Sequence, residues 1–196
     1  LEGNVKGHHL EFNVKAFRLF TGHQTQPMVM GKDMAQALGP DAPRQVYYRD
    51  TPQEIRDELW RRFIDALSPL KAAGKLGAVH FQFAPWMIRN RDGMAHVRHC
   101  VEKMDGHTLA VEFRNKSWFE GDNLDKTIAF ERELGVAHTI VDAPQGFSNT
   151  VPLVWEATTP KLALLRLHGR NKDTWNIKSE QSSSRFNYWY SPEELG

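Results

Sequence analysis

The sequence predicts an α/β protein whose parallel strands roll into a β/α barrel. Segments with the two-residue alternation of a strand are separated by segments with the spacing of an amphipathic helix, which is typical of parallel α/β architecture. Polar residues also recur on a single face at the end of each clear strand. The solvated mouth of a closed barrel accommodates such residues better than the helix-covered faces of an open sheet.

The composition indicates an ordinary globular chain, for which we expect one domain over residues 1–196. Hydrophobic residues make up 40% and charged residues 25% of the sequence. Lys and Arg together number 25 against 24 for Asp and Glu, so the net charge of +1 favours no general attraction to nucleic acid. The single cysteine, Cys100, excludes an internal disulfide and a thiolate-rich metal site. We find no membrane-spanning run or signal peptide and expect a cytoplasmic protein.

Five segments have strand character, and the clearest case is Thr108–Arg114. Its side chains alternate so that Leu109, Val111 and Phe113 share one face, while Glu112 and Arg114 share the other. A charged pair on a buried strand costs several kcal/mol unless it is paired or solvated, which suggests a use for it. The five predicted strands are His9–Phe17, Gly77–Ala84, Thr108–Arg114, Val136–Asp142 and Lys161–His168. The segment Val151–Ala157 fits either a short strand or an extended loop.

Helices are predicted between these strands. The run Thr51-Pro52-Gln53-Glu54 predicts a helix start, with Thr51 as the N-cap and Glu54 in the capping-box position. Apolar residues then recur at three- and four-residue steps as far as Ala73. The predicted helices are Lys32–Leu38, one from Thr51 to Ala73, Asp92–Met104, Leu124–Leu134 and one that begins at Ser191-Pro192.

The polar residues at the strand ends are the candidates for a functional site. They are Asn13 and Lys15, His80 and Gln82, Glu112 and Arg114, Asp142, and Arg166 and His168. Asn13 or His80 taken singly fits a core polar group with satisfied hydrogen bonds. Their recurrence on five strands favours a shared site at the C-terminal end of the barrel, where such enzymes place their chemistry.

Several motifs resemble, in order, those of the YecE-like family (domain of unknown function 72). They are Phe12-Asn13-Val14-Lys15-Ala16, Phe81-Gln82-Phe83-Ala84-Pro85-Trp86, Glu112-Phe113-Arg114 with Ser117-Trp118, Val141-Asp142, Arg166-Leu167-His168-Gly169-Arg170 and Tyr188-Trp189-Tyr190-Ser191. The resemblance implies a TIM-type β/α barrel, and it implies no particular reaction. The family's barrel has eight strands, so we expect this chain to be an incomplete barrel that lacks the first strands and the last. The gap would reflect an incomplete sequence or be filled by a partner chain.

The residue types at the barrel mouth predict recognition of an anion. Several guanidinium groups suit a phosphate or carboxylate, and aromatic walls suit a base or sugar ring. We expect Glu112, His168 and Asp142 to be catalytic. The expected ligand-binding residues are Lys15, Gln82, Arg114, Trp118, Arg166, Arg170 and Tyr188. The first hypothesis is an enzyme, such as a hydrolase or lyase, acting on a nucleotide, nucleic acid or sugar phosphate, although each arginine could instead form a structural ion pair.

Two alternatives remain open. A metal-dependent hydrolase could use His80, Glu112, Asp142 and His168 with a divalent metal, but the surrounding cations disfavour a metal and the chain has no compact ligand motif. A non-enzymatic module could bind nucleic acid or a small anion. No cofactor is evident, no membrane partner is expected, and the sequence leaves the oligomeric state open.

Overall fold

The computed structural model describes residues 10–177, 184 and 186–195. The strands are β1 (Phe12–Lys15), β2 (Leu76–Gln82), β3 (Leu109–Glu112), β4 (Ala137–Asp142) and β5 (Leu164–Leu167). The helices are α1 (Lys32–Ala37), α2 (Gln53–Ala72), α3 (Arg91–Lys103), α4 (Asn123–Leu134) and α5 (Pro192–Leu195). Short 3₁₀ turns cover Pro27–Met30, Tyr48–Asp50 and Lys116–Trp118.

The strands form a parallel sheet in the order β1-β2-β3-β4-β5. The prediction of an α/β protein with parallel strands is therefore confirmed, and each predicted strand has a counterpart. The first strand is shorter than predicted, because regular pairing begins at Phe12, and its predicted start at His9 lies outside the described residues. The undecided segment Val151–Ala157 forms no strand.

The described residues fall into two compact units, one formed by residues 10–81 and 99–109 and the other by residues 82–98 and the described residues from 110 onward. The single domain expected over residues 1–196 stays a prediction. In the first unit β1 and β2 are parallel, with Val14 opposite Val79 and Lys15 opposite His80. The core of this unit is aromatic, and the Phe20 ring stacks on Trp60 at 3.6 Å.

The start of α2 corrects the predicted capping box. The helix begins at Gln53, Pro52 occupies the N-cap position, and no side chain caps the first turn. The Thr51 hydroxyl instead donates to the Tyr47 carbonyl at 2.9 Å. The helix therefore begins one residue later than predicted, and Thr51 lies one residue before the N-cap position.

In the second unit, β3, β4 and β5 run parallel and their register decides which side chains share a face. Ala110 pairs with Ala137, and Val141 pairs with Arg166. Since side chains alternate along a strand, Glu112 and Arg166 project from the same face of the sheet. Asp142 pairs with Leu167 and therefore projects from the opposite face.

The core of the second unit lies around Phe113 and Trp118. Their rings stack at 3.7 Å with an interplanar angle of 8°. The Trp118 indole donates to the Met87 carbonyl at 2.8 Å, and Trp118 is fully buried. None of the helices in the described part of the chain has the length and apolar character needed to cross a membrane.

Candidate functional site

A buried carboxylate at the end of β3 organises the first group of polar residues. The Gln82 amide donates to Glu112 Oε1 at 2.6 Å, and Arg166 Nη1 donates to Glu112 Oε2 at 2.5 Å. Glu112 is 2% exposed. We call these three residues the Glu112 cluster. Each carboxylate oxygen therefore accepts a hydrogen bond, and one of the two donors is a cation.

Arg114 has a different environment from Arg166, although both follow strands of the same sheet. Arg114 is exposed, and within the described residues its guanidinium makes no hydrogen bond or ion pair. It lines a small cavity of about 40 Å³ together with Glu112, His168 and Trp175. At this cavity Arg114 therefore supplies a positive charge that forms no ion pair within the described residues.

A larger cleft opens beside the same strand ends. It has a volume of about 310 Å³ and is lined by Arg166, Leu167, His168 and Phe186. The His168 and Phe186 rings are in edge-to-face contact, with centroids 5.5 Å apart. His168 lines both the cleft and the small cavity, so it connects the Glu112 cluster with the aromatic wall.

A second group of polar residues surrounds Arg170. Arg170 Nε donates to Asp142 Oδ2 at 2.9 Å and to Oδ1 at 3.2 Å, while Nη1 donates to Glu194 Oε1 at 3.0 Å. The Tyr188 hydroxyl also donates to Glu194 Oε1, at 2.7 Å. Together with Gly169 and Tyr190 these residues form what we call the Arg170 cluster. Two carboxylates already pair with Arg170, which favours the structural ion pair over the predicted ligand-binding role.

Gly169 allows the Arg170 cluster to close. Its amide donates to the Tyr190 hydroxyl at 2.9 Å, and burial is the main cause that raises the pKa of Tyr190 to about 12. A Cβ at position 169 would lie 2.5 Å from the Tyr188 Cβ, and the backbone has a φ of +81°. The two tyrosines therefore pack against a residue that has no side chain.

The pKa of Glu194 is lowered, first by the Ser191 amide and then by the Tyr188 hydroxyl. The Ser191 amide donates to Glu194 Oε2 at 2.9 Å. Glu194 is therefore held as a carboxylate that joins α5 to the loop after β5. Glu194 was not among the predicted site residues, although the sequence predicted a helix that begins just before it.

The structure distributes the predicted site residues over different environments. Gln82, Glu112 and Arg166 contact one another, and Arg114 and His168 line the adjoining cavity. Asp142, Arg170 and Tyr188 belong to the Arg170 cluster, with Asp142 on the opposite face of the sheet from Glu112. Lys15 is an exposed residue of β1 in the first unit, opposite His80.

Trp118 corrects the prediction of an aromatic cleft wall. The side chain is fully buried against Phe113, so it cannot contact a ligand in this structure. Its neighbour Ser117 is also engaged, since the Ser117 hydroxyl accepts from the Arg89 amide at 2.9 Å. Phe186 lines the cleft instead, and it was not among the predicted site residues.

The arrangement of candidate metal ligands bears on the predicted alternative of a metal-dependent hydrolase. Within residues 10–177, 184 and 186–195, no group of three or more His, Cys, Asp or Glu side chains has an arrangement that could hold a metal ion. Both oxygens of Glu112 are engaged by Gln82 and Arg166.

A further buried ionisable pair lies between α4 and β4, away from the strand ends. His138 Nδ1 is 3.2 Å from Glu131 Oε1 in hydrogen-bond geometry and 3.0 Å from Oε2. Both side chains are almost fully buried. Burial raises the pKa of Glu131, and the contact with His138 opposes that rise without cancelling it.

This shift predicts a pH dependence of stability. The folded chain keeps the Glu131 proton at a pH where the unfolded carboxyl, with its ordinary pKa of 4.5, has released it. The Glu131 contribution to the free energy of unfolding should therefore fall as the pH rises from 4.5 through the raised pKa. Denaturant unfolding measures the free energy of unfolding of the unchanged chain and of Glu131→Gln across that pH range. As the pH rises, the unchanged chain should lose stability relative to Glu131→Gln.

Glu133 provides the matched control, because its pKa is shifted in the other direction. The Arg98 hydrogen bond lowers the pKa of Glu133. The Glu133 contribution to the free energy of unfolding is therefore present above the pKa of the unfolded carboxyl and is lost as the pH falls through the lowered pKa. The Glu133→Gln difference should therefore have the opposite slope, and equal slopes for both variants would contradict the assignment.

Comparison with known proteins supports the resemblance found in the sequence. A family model described as "Protein of unknown function DUF72" matches residues 5–196. The UPF0759 protein YunF of Bacillus subtilis is 31% identical over 189 residues, which cover 94% of this chain and 58% of YunF. The chain thus spans less than two thirds of the length of this relative.

Two crystal structures of DUF72 family proteins are similar to this chain. One, from Enterococcus faecalis at 3.10 Å resolution, has a TM-score of 0.71 at 24% identity. The match covers 94% of this chain and 59% of the Enterococcus chain. The other, from Thermotoga maritima at 2.20 Å resolution, has a TM-score of 0.60 at 29% identity. The match covers 70% of this chain and 49% of the Thermotoga chain. With the match of the family model over nearly the whole sequence, the chain belongs to the DUF72 family.

Proposed function

We propose that this chain binds a small anionic compound, with a phosphate or carboxylate group, at the ends of β3 and β5. In this proposal Arg114 and Arg166 hold the anion, and His168 lines both the small cavity beside Arg114 and the cleft beside Arg166. The observation that carries the proposal is the exposed Arg114 guanidinium, which has no acidic partner among the described residues and lines a cavity with His168. A cation without a counter-ion beside a cavity suits an anionic ligand.

Glu112 has an orienting role in this proposal. Its Oε2 holds Arg166 Nη1, and the described residues provide no other hydrogen bond to that guanidinium. The remaining nitrogens of Arg166 are available to a ligand in the cleft that Arg166 lines. The alternative role of Glu112 as a general base is less favourable, since Gln82 and Arg166 already occupy both oxygens.

The proposal extends to catalysis through His168 rather than through Asp142. His168 lines both cavities, whereas the Asp142 carboxylate is engaged by Arg170 on the opposite face of the sheet. An imidazole beside a bound phosphate or carboxylate can donate or accept a proton near neutral pH. The chain would then act on its anionic ligand with His168 as the proton-transfer group.

Titration with inorganic phosphate tests the binding site. In calorimetry or NMR titration, Arg114→Gln should weaken phosphate binding about tenfold, because a charge-assisted hydrogen bond is worth about 1.5–3 kcal/mol. Arg91→Gln is the matched control. Arg91 is also exposed and without an ion pair in the described chain, but it lies at the start of α3 and should leave binding unchanged.

Two results would refute this proposal. One is the absence of saturable phosphate binding to the unchanged chain at low ionic strength. The other is an equal loss of affinity in Arg114→Gln and Arg91→Gln, since that result would indicate only a general effect of net charge.

We also propose that the five strands belong to a TIM-type barrel. The support is the parallel order β1-β2-β3-β4-β5 and the similarity to longer DUF72 structures. A TIM barrel closes with eight parallel strands, each followed by a helix. A structure of the full-length Bacillus relative tests this proposal, and a sheet that stays open there would contradict it.

A further inference from the structure

We propose that the anion bound by this chain carries a flat ring, and that the cleft beside β5 receives the ring. The substrate class is then a small aromatic compound with a phosphate or carboxylate group. This inference rests on the proposed function, because it takes Arg166 as a residue that holds the anion. It goes further by assigning the part of the ligand that Arg114 and Arg166 do not contact.

The cleft joins a cationic end to an apolar end. Its lining consists of Arg166, Leu167, His168 and Phe186. Phe186 is 49% exposed, so it presents apolar surface that a ligand can cover. Covering such surface is favourable by about 25 cal/mol per Å², which gives the apolar part of a ligand a reason to lie there.

The cleft has room for a small ligand. Its volume of about 310 Å³ lies at the lower end of the roughly 300–1,000 Å³ typical of ligand pockets. This volume is enough for a single ring with one anionic group, and because the cleft is open to solvent, a larger ligand would extend out of it.

The arrangement of the aromatic side chains favours a flat ring over an alkyl chain. The His168 and Phe186 rings meet at an interplanar angle of 75°, and the Trp175 ring centroid lies 6.4 Å from that of His168 and 6.5 Å from that of Phe186. The three rings therefore pack against one another as one aromatic group, in which Phe186 is 49% exposed. A planar ligand can stack on the exposed part of Phe186 or meet its edge, the two arrangements that aromatic pairs prefer.

The hydrogen bonds around Arg166 fix the polar end of the ligand. Glu112 Oε2 accepts from Arg166 Nη1, and Gln82 holds the other oxygen of Glu112. These contacts hold the guanidinium of Arg166 in place while its remaining nitrogens stay available in the described chain. A bound ligand would therefore place its anion on Arg166 and its ring toward Phe186.

The test compares phosphate esters that differ only in the attached group. The full chain is titrated with phenyl phosphate, cyclohexyl phosphate, methyl phosphate and inorganic phosphate by calorimetry. We expect phenyl phosphate to bind about tenfold more tightly than methyl phosphate, since stacking and edge contacts are worth about 0.5–1.5 kcal/mol each. Phe186→Ala should reduce that ratio to about threefold or less and leave the affinity for methyl phosphate unchanged.

Two further variants control for indirect effects. Trp155→Ala removes an aromatic ring that is 63% exposed and lies outside the cleft, and it should leave the ratio unchanged. Phe186→Leu keeps an apolar side chain without the ring, so it replaces Phe186→Ala if thermal unfolding shows that the alanine variant is not folded.

Each outcome of the test decides the inference. Equal affinities for phenyl and methyl phosphate would overturn it and leave the proposed function in place. Equal affinities for phenyl and cyclohexyl phosphate would also overturn it, because the cleft would then select apolar bulk and not a flat ring. No saturable binding of any phosphate would overturn both the inference and the proposed function.

Discussion

Gly169→Ala should lower the free energy of unfolding by about 3 kcal/mol, from the strain of a positive φ and a steric overlap. The backbone at Gly169 has a φ of +81°, which a residue with a Cβ rarely adopts. The added Cβ would also lie 2.5 Å from the Tyr188 Cβ, far inside normal contact. Relief of this overlap would move Tyr188 away from the Glu194 carboxylate, to which its hydroxyl donates.

Gly146→Ala separates the two causes. Gly146 has a similar φ of +95°, but an added Cβ would meet no atom within 4 Å. Its cost should be confined to backbone strain, about 1 kcal/mol. Chemical denaturation of both variants measures the difference, and equal losses would show that the contact with Tyr188 contributes nothing.

Gly169→Ala also tests whether the Arg170 cluster holds the neighbouring segment in place. The amide of Gly169 donates to Tyr190, and Arg170 pairs with Asp142 and Glu194, so these contacts hold residues 188–194 against the ends of β4 and β5. In Gly169→Ala, limited proteolysis should cut this segment faster than in the unchanged chain, because local opening precedes cleavage. An unchanged cleavage rate would indicate that the cluster does not hold the segment.

Trp118→Ala should lower the free energy of unfolding by about 4 kcal/mol, the middle of the range for removing a buried Trp or Phe side chain. Trp118 is fully buried and stacks on Phe113 at 3.7 Å. Its indole N–H donates to the Met87 carbonyl, which would lose a buried partner. The substitution therefore removes apolar packing, an aromatic stack and a hydrogen bond together.

Trp118→Phe and Trp155→Ala are the matched controls. The phenylalanine keeps a ring against Phe113 but not the N–H, so its cost should be about 2 kcal/mol. Trp155 is 63% exposed, and its replacement by alanine should cost less than about 1 kcal/mol. A loss in Trp118→Ala as small as that in Trp155→Ala would contradict the core role of Trp118.

The fold was largely predictable because it depends on local periodicity. The helix Leu124–Leu134 was predicted almost to the residue, since its polar start and the following Gly135 mark both ends in the sequence. The strand Val136–Asp142 was also close to the observed Ala137–Asp142. The predicted N-terminal end of α2 was wrong. The Thr51 hydroxyl bonds to the Tyr47 carbonyl beside the Tyr48–Asp50 turn, and the sequence around Thr51 alone does not reveal this contact.

The candidate site was predictable in its residues but not in their pairing. The sequence placed Glu112, Arg114 and Arg166 at strand ends, and the structure joins Glu112 to Arg166 while Arg114 has no ion pair in the described chain. It also suggested that Asp142 acts with Glu112. The strand register places them on opposite faces, and register is a property of neighbouring strands that no single segment contains.

The sequence by itself determined the order of strands and helices, the parallel α/β class and the membership of the DUF72 family. These features follow from hydrophobic periodicity and from motifs, both of which are written along the chain. Only the tertiary structure decided that Trp118 is core, that Arg170 is held by two carboxylates, and that Arg114 lacks an acidic partner in the described chain. Burial and charge pairing arise between residues far apart in sequence, so they depend on distances that folding alone sets.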